Sequence, residues 1–228
     1  MSLPTAAARR CLGRACLLVI ALFGCGSGRA ADAAATADPT PLAASITPPT
    51  CWLGDGSQVL VAFVSDTGYT RALAAAVASG AASEGSCVWL LDARGASVEM
   101  LAGADAILLG APVHNGNPAS AMLEWIERWP FHGAPLRDRP GAVFVTGGGL
   151  HAGAESSLLA LQRSLLSFSM LLVGGDVWQS AYGVAAATAE APFAGKALDA
   201  AFATKARALG LRVATLARRL GEAKRSGS

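Results

Sequence analysis

Charge is scarce in this chain. Asp, Glu, Lys and Arg make up 15% of its 228 residues, the formal net charge is +2, and the basic excess sits at the two ends. A balance this near neutral does not suggest nucleic-acid binding. Histidine is rarer still, with three residues, and no Cys or His stands at metal-ligand spacing, which argues against a metal site. Of the five cysteines, Cys11, Cys16 and Cys25 fall near the N-terminus, leaving only Cys51 and Cys87 for a folded portion. In an oxidising compartment these two can pair or remain two partly buried thiols, and both readings stay open. A dinucleotide fingerprint is missing as well. Gly147-x-Gly149-x-x-x-Gly153 has the wrong spacing, follows a later strand than the first, and lacks a suitably placed acidic partner.

The N-terminus reads as an address and not as part of a fold. Arg9, Arg10 and Arg14 precede a short apolar segment, Ala15 to Phe23, and small residues follow. A basic region, a brief hydrophobic stretch and a small-residue zone form an export signal, too short for a permanent membrane span. Leu22-Phe23-Gly24-Cys25 resembles the lipobox of bacterial lipoproteins, although Phe23 is unusual there. The resemblance implies cleavage before Cys25 and a lipid tether on that residue, giving a membrane-anchored protein facing the periplasm. The alternative is plain cleavage near Ala30-Ala31 and a soluble periplasmic protein. The expected organisation is a signal over 1–25, an Ala/Thr/Pro/Gly-rich tether over 26–57, one domain over 58–222, and a disordered tail over 223–228.

Within the domain, the run Val59-Leu60-Val61-Ala62-Phe63-Val64 passes directly into Ser65-Asp66-Thr67-Gly68-Tyr69-Thr70, and a helix-forming run follows from Arg71 to Ala82. A continuous apolar run of this kind marks a buried parallel strand. The helix start beyond it presents unpaired backbone N–H groups, which suit an anion, and Gly68 allows close approach. An ordinary turn with Ser and Thr as helix caps would look similar. The loop contains no lysine, so neutral dipoles would hold a phosphate, favouring the monophosphate of FMN over a polyphosphate.

Further strands are predicted at Ser86–Asp92, Ala104–Ala111, Pro140–Thr146 and Met170–Gly174. Helices are predicted at Pro118–Trp129, Glu155–Phe168 and about Gly195–Leu220. This alternation predicts an α/β fold, a doubly wound five-stranded parallel sheet with helices on both faces. Three strands end in loops of unusual chemistry, Ser65–Thr70, Pro112–Asn117 and Thr146–Gly153, and a parallel sheet would gather them on one rim.

At this point the chain resembles the flavodoxin-like family, whose strand order is 2-1-3-4-5, and within it the WrbA-like NAD(P)H:quinone oxidoreductases. Three segments carry the likeness: the loop from Ser65 to Thr70, Asp105-Ala106-Ile107-Leu108-Leu109-Gly110-Ala111-Pro112-Val113-His114-Asn115-Gly116-Asn117, and Ala142 to Leu159 with its Gly147-Gly148-Gly149. The resemblance implies that Ser65, Thr67, Gly68, Tyr69 and Thr70 hold the FMN phosphate. It implies that Pro112, Val113, His114, Asn115, Gly116 and Asn117 line one side of the flavin ring. Thr146, Gly147, Gly148, Gly149 and Gly153 would wrap the other side. His114 and His151 are the candidates for proton or hydrogen-bond chemistry. Trp125, Trp129 and Phe131 either border the site or pack in the core.

Three departures stand out. His114-Asn115 replaces an Arg and an aromatic, Ser167-Phe168 replaces paired histidines expected near the flavin, and the insertion that supports the family's tetramer is short. A homo-oligomer is therefore left open. The implied activity is FMN-dependent hydride or electron transfer from NAD(P)H to a quinone or other small acceptor. The alternatives are a non-enzymatic periplasmic electron carrier and a flavodoxin-fold binding lipoprotein that has lost its flavin.

Overall fold

A computed structural model of the chain describes residues 56–227. The expected signal, nearly all of the tether and Cys51 lie outside these residues. Cys87 is disulfide-bonded.

The elements follow in the order β1 (Gln58–Phe63), α1 (Tyr69–Ala82), β2 (Cys87–Asp92), α2 (Met100–Gly103), β3 (Ala106–His114) and β4 (Asn117–Pro118). After these come α3 (Ser120–Glu127), β5 (Pro140–Gly147), α4 (Ala154–Ser167), β6 (Leu171–Leu172), β7 (Val184–Ala187) and α5 (Ala200–Ser226). The sheet runs β2-β1-β3-β5, and both β6 and β7 pair with the outer side of β5. All of these pairings are parallel. The expected order is therefore present, with its fifth position filled by two short pieces.

That split departs from the single fifth strand expected at Met170–Gly174. Leu171 and Leu172 pair with Pro140 and Gly141 at the start of β5. The chain then turns away at Gly174-Gly175, where the Gly175 N–H donates to Ser180 O at 2.8 Å. It returns as β7, whose residues align with Phe144–Gly147 at the other end of β5. Val184-Ala185-Ala186-Ala187 was hidden in the sequence because alanine is depleted in strands and carries no period-two signal.

Alternate side chains of β1 serve opposite faces, as the pleat requires. Val59, Val61 and Phe63 pack with Leu73, Val77, Leu209 and Val213 beneath α1 and α5. Leu60, Ala62 and Val64 pack with Leu101, Trp125 and Leu161 beneath α2, α3 and α4. Burial on both faces explains why β1 reads as an unbroken apolar run.

The α1–α5 contact is made backbone to backbone. A Cβ added at Gly80 would land on the carbonyl of Arg207, and one at Gly210 on the carbonyl of Val77. Helix α5 also runs past Gly221 to Ser226, so 223–226 are helical and not part of the expected tail. Arg218 explains the extension: it donates to Glu84 Oε1 and to Glu222 Oε1 one turn on, tying the last turns to the turn after α1 and to themselves. One glycine in a helix costs only about 1 kcal/mol and does not end it without a competing cap.

Candidate functional site

Register alone brings the three loops together. Phe63 aligns with Gly110, Pro112 with Thr146, and Gly147 with Ala187, so the ends of β1, β3, β5 and β7 form one rim. Such a rim, beyond the carboxyl ends of parallel strands, is where open α/β sheets bind ligands.

The first loop caps a helix and leaves donors that an anion could use. Ser65 Oγ accepts from the Gly68 and Arg71 amides, both at 3.2 Å, which fixes the entry to α1. Gly68 stands at φ 90 as the N-cap residue, a conformation that suits glycine, with open space where a Cβ would be. The Tyr69 and Thr70 amides, at the first two positions of α1, donate to no protein group among the described residues. Two unpaired donors at a helix head are the fit expected for a phosphate.

The hydroxyls divide their tasks. Thr70 Oγ1 lies 2.7 Å from Thr146 Oγ1, and both residues are buried, so the loops after β1 and β5 are joined beneath the rim. Whichever hydroxyl accepts keeps its own hydrogen for a ligand. Thr67 is exposed at the loop crest. The Tyr69 hydroxyl turns aside and donates to Lys196 O at 2.8 Å.

The second segment is a hairpin, where the sequence suggested an irregular loop. β3 continues through Val113 and His114, which pair antiparallel with Pro118 and Asn117 of β4. Asn115 at φ 50 and Gly116 at φ 79 form the two-residue turn, the Asn-Gly signature of a tight hairpin. Gly153, at the head of α4, packs against the backbone of Gly116, leaving no room for a Cβ. The hairpin tip and the end of the third loop therefore support each other.

The third loop is held from outside by residues the sequence reading did not single out. The Thr188 and Ala189 amides donate to Gly147 O and Gly148 O, both at 2.9 Å. Glu190 Oε1 accepts from the Leu150 amide at 2.9 Å, and Oε2 stands where a Cβ on Gly149 would be. This clasp follows β7, and overlooking that strand hid it. His151 is exposed, with no hydrogen bond or ion pair among the described residues, and so differs from His114.

His114 Nε2 lies 3.0 Å from Asp66 Oδ2. Arg94, just past β2, bonds to Asp66 Oδ1 and donates to Ser65 O at 3.0 Å. Asp66 thus joins the loops after β1, β2 and β3. Arg94 adds a guanidinium next to a loop that itself contains no cation. The sequence hint was a lone arginine directly after a strand end.

Other expected neighbours lie elsewhere. Trp125 is fully buried, donates from its indole to Ala96 O at 3.2 Å and meets Trp129 edge-on. Trp129 and Phe131 both pack on Phe168, which ends α4 near the start of β5, at the opposite end of the sheet from the rim. Ser167-Phe168 therefore takes nothing from this chain's own rim. No group of three or more His, Cys, Asp or Glu among the described residues is placed to hold a metal ion.

Comparison with known proteins agrees with this architecture. Residues 91–185 match the family model for NADPH-dependent FMN reductase. The chain is 31% identical over 142 residues to NAD(P)H dehydrogenase (quinone) 3 of Rhizobium meliloti (strain 1021), covering 52% of this chain and 66% of that relative. It is 32% identical over 142 residues to NAD(P)H dehydrogenase (quinone) of Azorhizobium caulinodans, with 52% and 70% covered. Among solved structures it is similar to a flavodoxin, WrbA-like protein from Agrobacterium tumefaciens, with a TM-score of 0.59 at 25% identity, over 72% of this chain and 99% of that one. Fold, rim and sequence likeness lead to one conclusion. The chain belongs to the flavodoxin-like family of NAD(P)H dehydrogenases (quinone).

Proposed function

We propose that this protein is an exported FMN-dependent oxidoreductase that takes reducing equivalents from NAD(P)H and delivers them to a quinone. Its family carries the FMN and the oxidoreductase chemistry. The observation that carries the site is the pair of unpaired amides at Tyr69 and Thr70, behind the open Gly68, in a loop that Arg94 bonds at Ser65.

When bound, FMN supplies the hydride chemistry that a protein side chain cannot. This chain's residues do the rest. The head of α1 takes the phosphate through main-chain N–H groups and the helix dipole. The hairpin from Val113 to Pro118 and the loop from Gly147 to Gly153 form the two walls. The Glu190 clasp keeps the glycine-rich wall rigid. His114, held by Asp66, replaces the family's arginine at the wall's exposed edge and can pass a proton to an acceptor oxygen.

Export is supported by the signal-like N-terminus and by the disulfide at Cys87, a bond at home in an oxidising compartment. Lipidation of Cys25 would bring the protein to membrane-dissolved quinones.

Absorbance titration of the purified protein with FMN tests the cofactor reading, and a yellow complex is expected. Failure to bind below about 100 μM, roughly 5.5 kcal/mol of affinity, would end both the enzyme and the carrier readings. Anaerobic addition of NADH or NADPH with benzoquinone then separates those two. An enzyme turns over, whereas a carrier binds FMN but leaves the nicotinamide unoxidised.

A further inference from the structure

One edge of the sheet combines cations with bare apolar side chains. Lys205, Arg212 and Arg219 are spaced by seven residues along α5, which puts them on one stripe, roughly 10 Å apart. That stripe lines two successive hollows of about 500 and 360 Å³. Val177 and Gln179 wall the first hollow, and Leu172 and Val173 wall the second. Between them Arg212 donates to Gly175 O at 2.7 Å, pinning the segment that splits the fifth strand. Asp176 is the single acid lining either hollow.

The same segment carries Trp178, 82% exposed, and Tyr182, 52% exposed, and it follows the exposed strand residues Leu171 and Leu172 in the chain. A tryptophan left this bare marks a surface that another phase or molecule covers. Lysine and arginine beside such residues send their charge to phosphate while their stems lie along apolar material.

We propose that this edge docks on an anionic phospholipid surface, with Lys205, Arg212 and Arg219 facing head-group phosphates and Trp178 entering the interface. The cations give the charge complementarity, and the surrounding aliphatic and aromatic side chains give the affinity for the acyl boundary. An acidic protein would satisfy the cations, but it would need a shaped pocket for Trp178. A bilayer needs only the mixture of aromatic and cation present here. The inference stands apart from the flavin site and does not depend on it.

The test uses the full chain with Cys25→Ser in every sample, so that lipidation contributes nothing. Partition is measured into vesicles of phosphatidylglycerol with phosphatidylethanolamine and into vesicles of phosphatidylcholine. The N-terminal segment, with Arg9, Arg10 and Arg14 beside its apolar run, contributes equally in every variant, so the change in anionic preference on substitution is the readout. Preference for the anionic vesicles should fall at least tenfold in Lys205→Ala/Arg212→Ala/Arg219→Ala, and by a similar factor in high salt. Arg212→Lys keeps the charge but not the guanidinium hydrogen bond to Gly175 O, and should retain the preference, which separates charge from folding. The blue shift of tryptophan emission on anionic vesicles should vanish in Trp178→Phe. Equal partition into both vesicle types, or an unchanged preference in the triple variant, overturns the proposal. So does a dimer in light scattering that Trp178→Ala abolishes, because the edge would then be a contact between copies of this chain.

Discussion

At the scale of single residues, Asp66 governs the charge beside the cradle. A carboxylate next to the proposed phosphate site is unfavourable alone; Arg94 offsets its charge and His114 meets its second oxygen. Arg94→Ala should weaken FMN binding by about 1 kcal/mol at low salt, whereas Asp66→Asn should strengthen it by a similar or smaller amount. Flavin fluorescence titrations at two salt concentrations check both signs, and both effects should shrink as salt rises. The hydroxyl pair Thr70–Thr146 predicts a different pattern. Either single change to Val strands a buried hydroxyl at a cost of ~1–3 kcal/mol, while the double change recovers part of the loss. Urea unfolding of the three variants measures that coupling.

At the scale of elements, the α1–α5 crossing is the least forgiving contact described. Gly80→Ala should lower stability by about 1–3 kcal/mol through overpacking, although alanine is the better helix former, and a drop in the urea midpoint would report it. Farther along, Arg218 of α5 is joined to Glu84 in the turn that follows α1. Hydrogen bonding from Arg218 holds the Glu84 carboxyl below its ordinary value of 4.5. A depressed acid contributes stability that is complete above its ordinary value and is lost as pH falls through the lowered one. The stability gap between the protein and Glu84→Gln should therefore be constant near neutrality and close below about pH 4.5.

Elements also mark how far the sequence could be read. β1 was legible because burial on both faces writes an unbroken apolar run, and α3 because Met122, Trp125 and Ile126 recur at helical spacing. The hairpin was announced by Asn115-Gly116, but the family motif around it suggested a loop. β7 was not legible: three alanines carry no strand signal, and the pairing that makes them a strand comes from distant β5. Its invisibility hid the Glu190 clasp. The motif-bearing loops could be read, but their supports could not.

For the whole molecule, cofactor binding and stability are linked. FMN recognised only by the folded state should raise stability by about 2.7 kcal/mol at a hundred times its dissociation constant, seen as a rise in Tm with FMN concentration. Riboflavin, lacking the phosphate, should give a much smaller rise if the head of α1 is the main anchor. The split fifth strand has a separate consequence for the protein as an object to be cut. Its two halves grip β5 independently, one at each end, and Trp178 and Tyr182 stand exposed between them. Chymotrypsin should nick the chain there first and leave two fragments that stay associated, still folded and still able to hold FMN. Fragments that stay together and keep FMN would show that the fold holds this edge by strand pairing and not by the chain link alone.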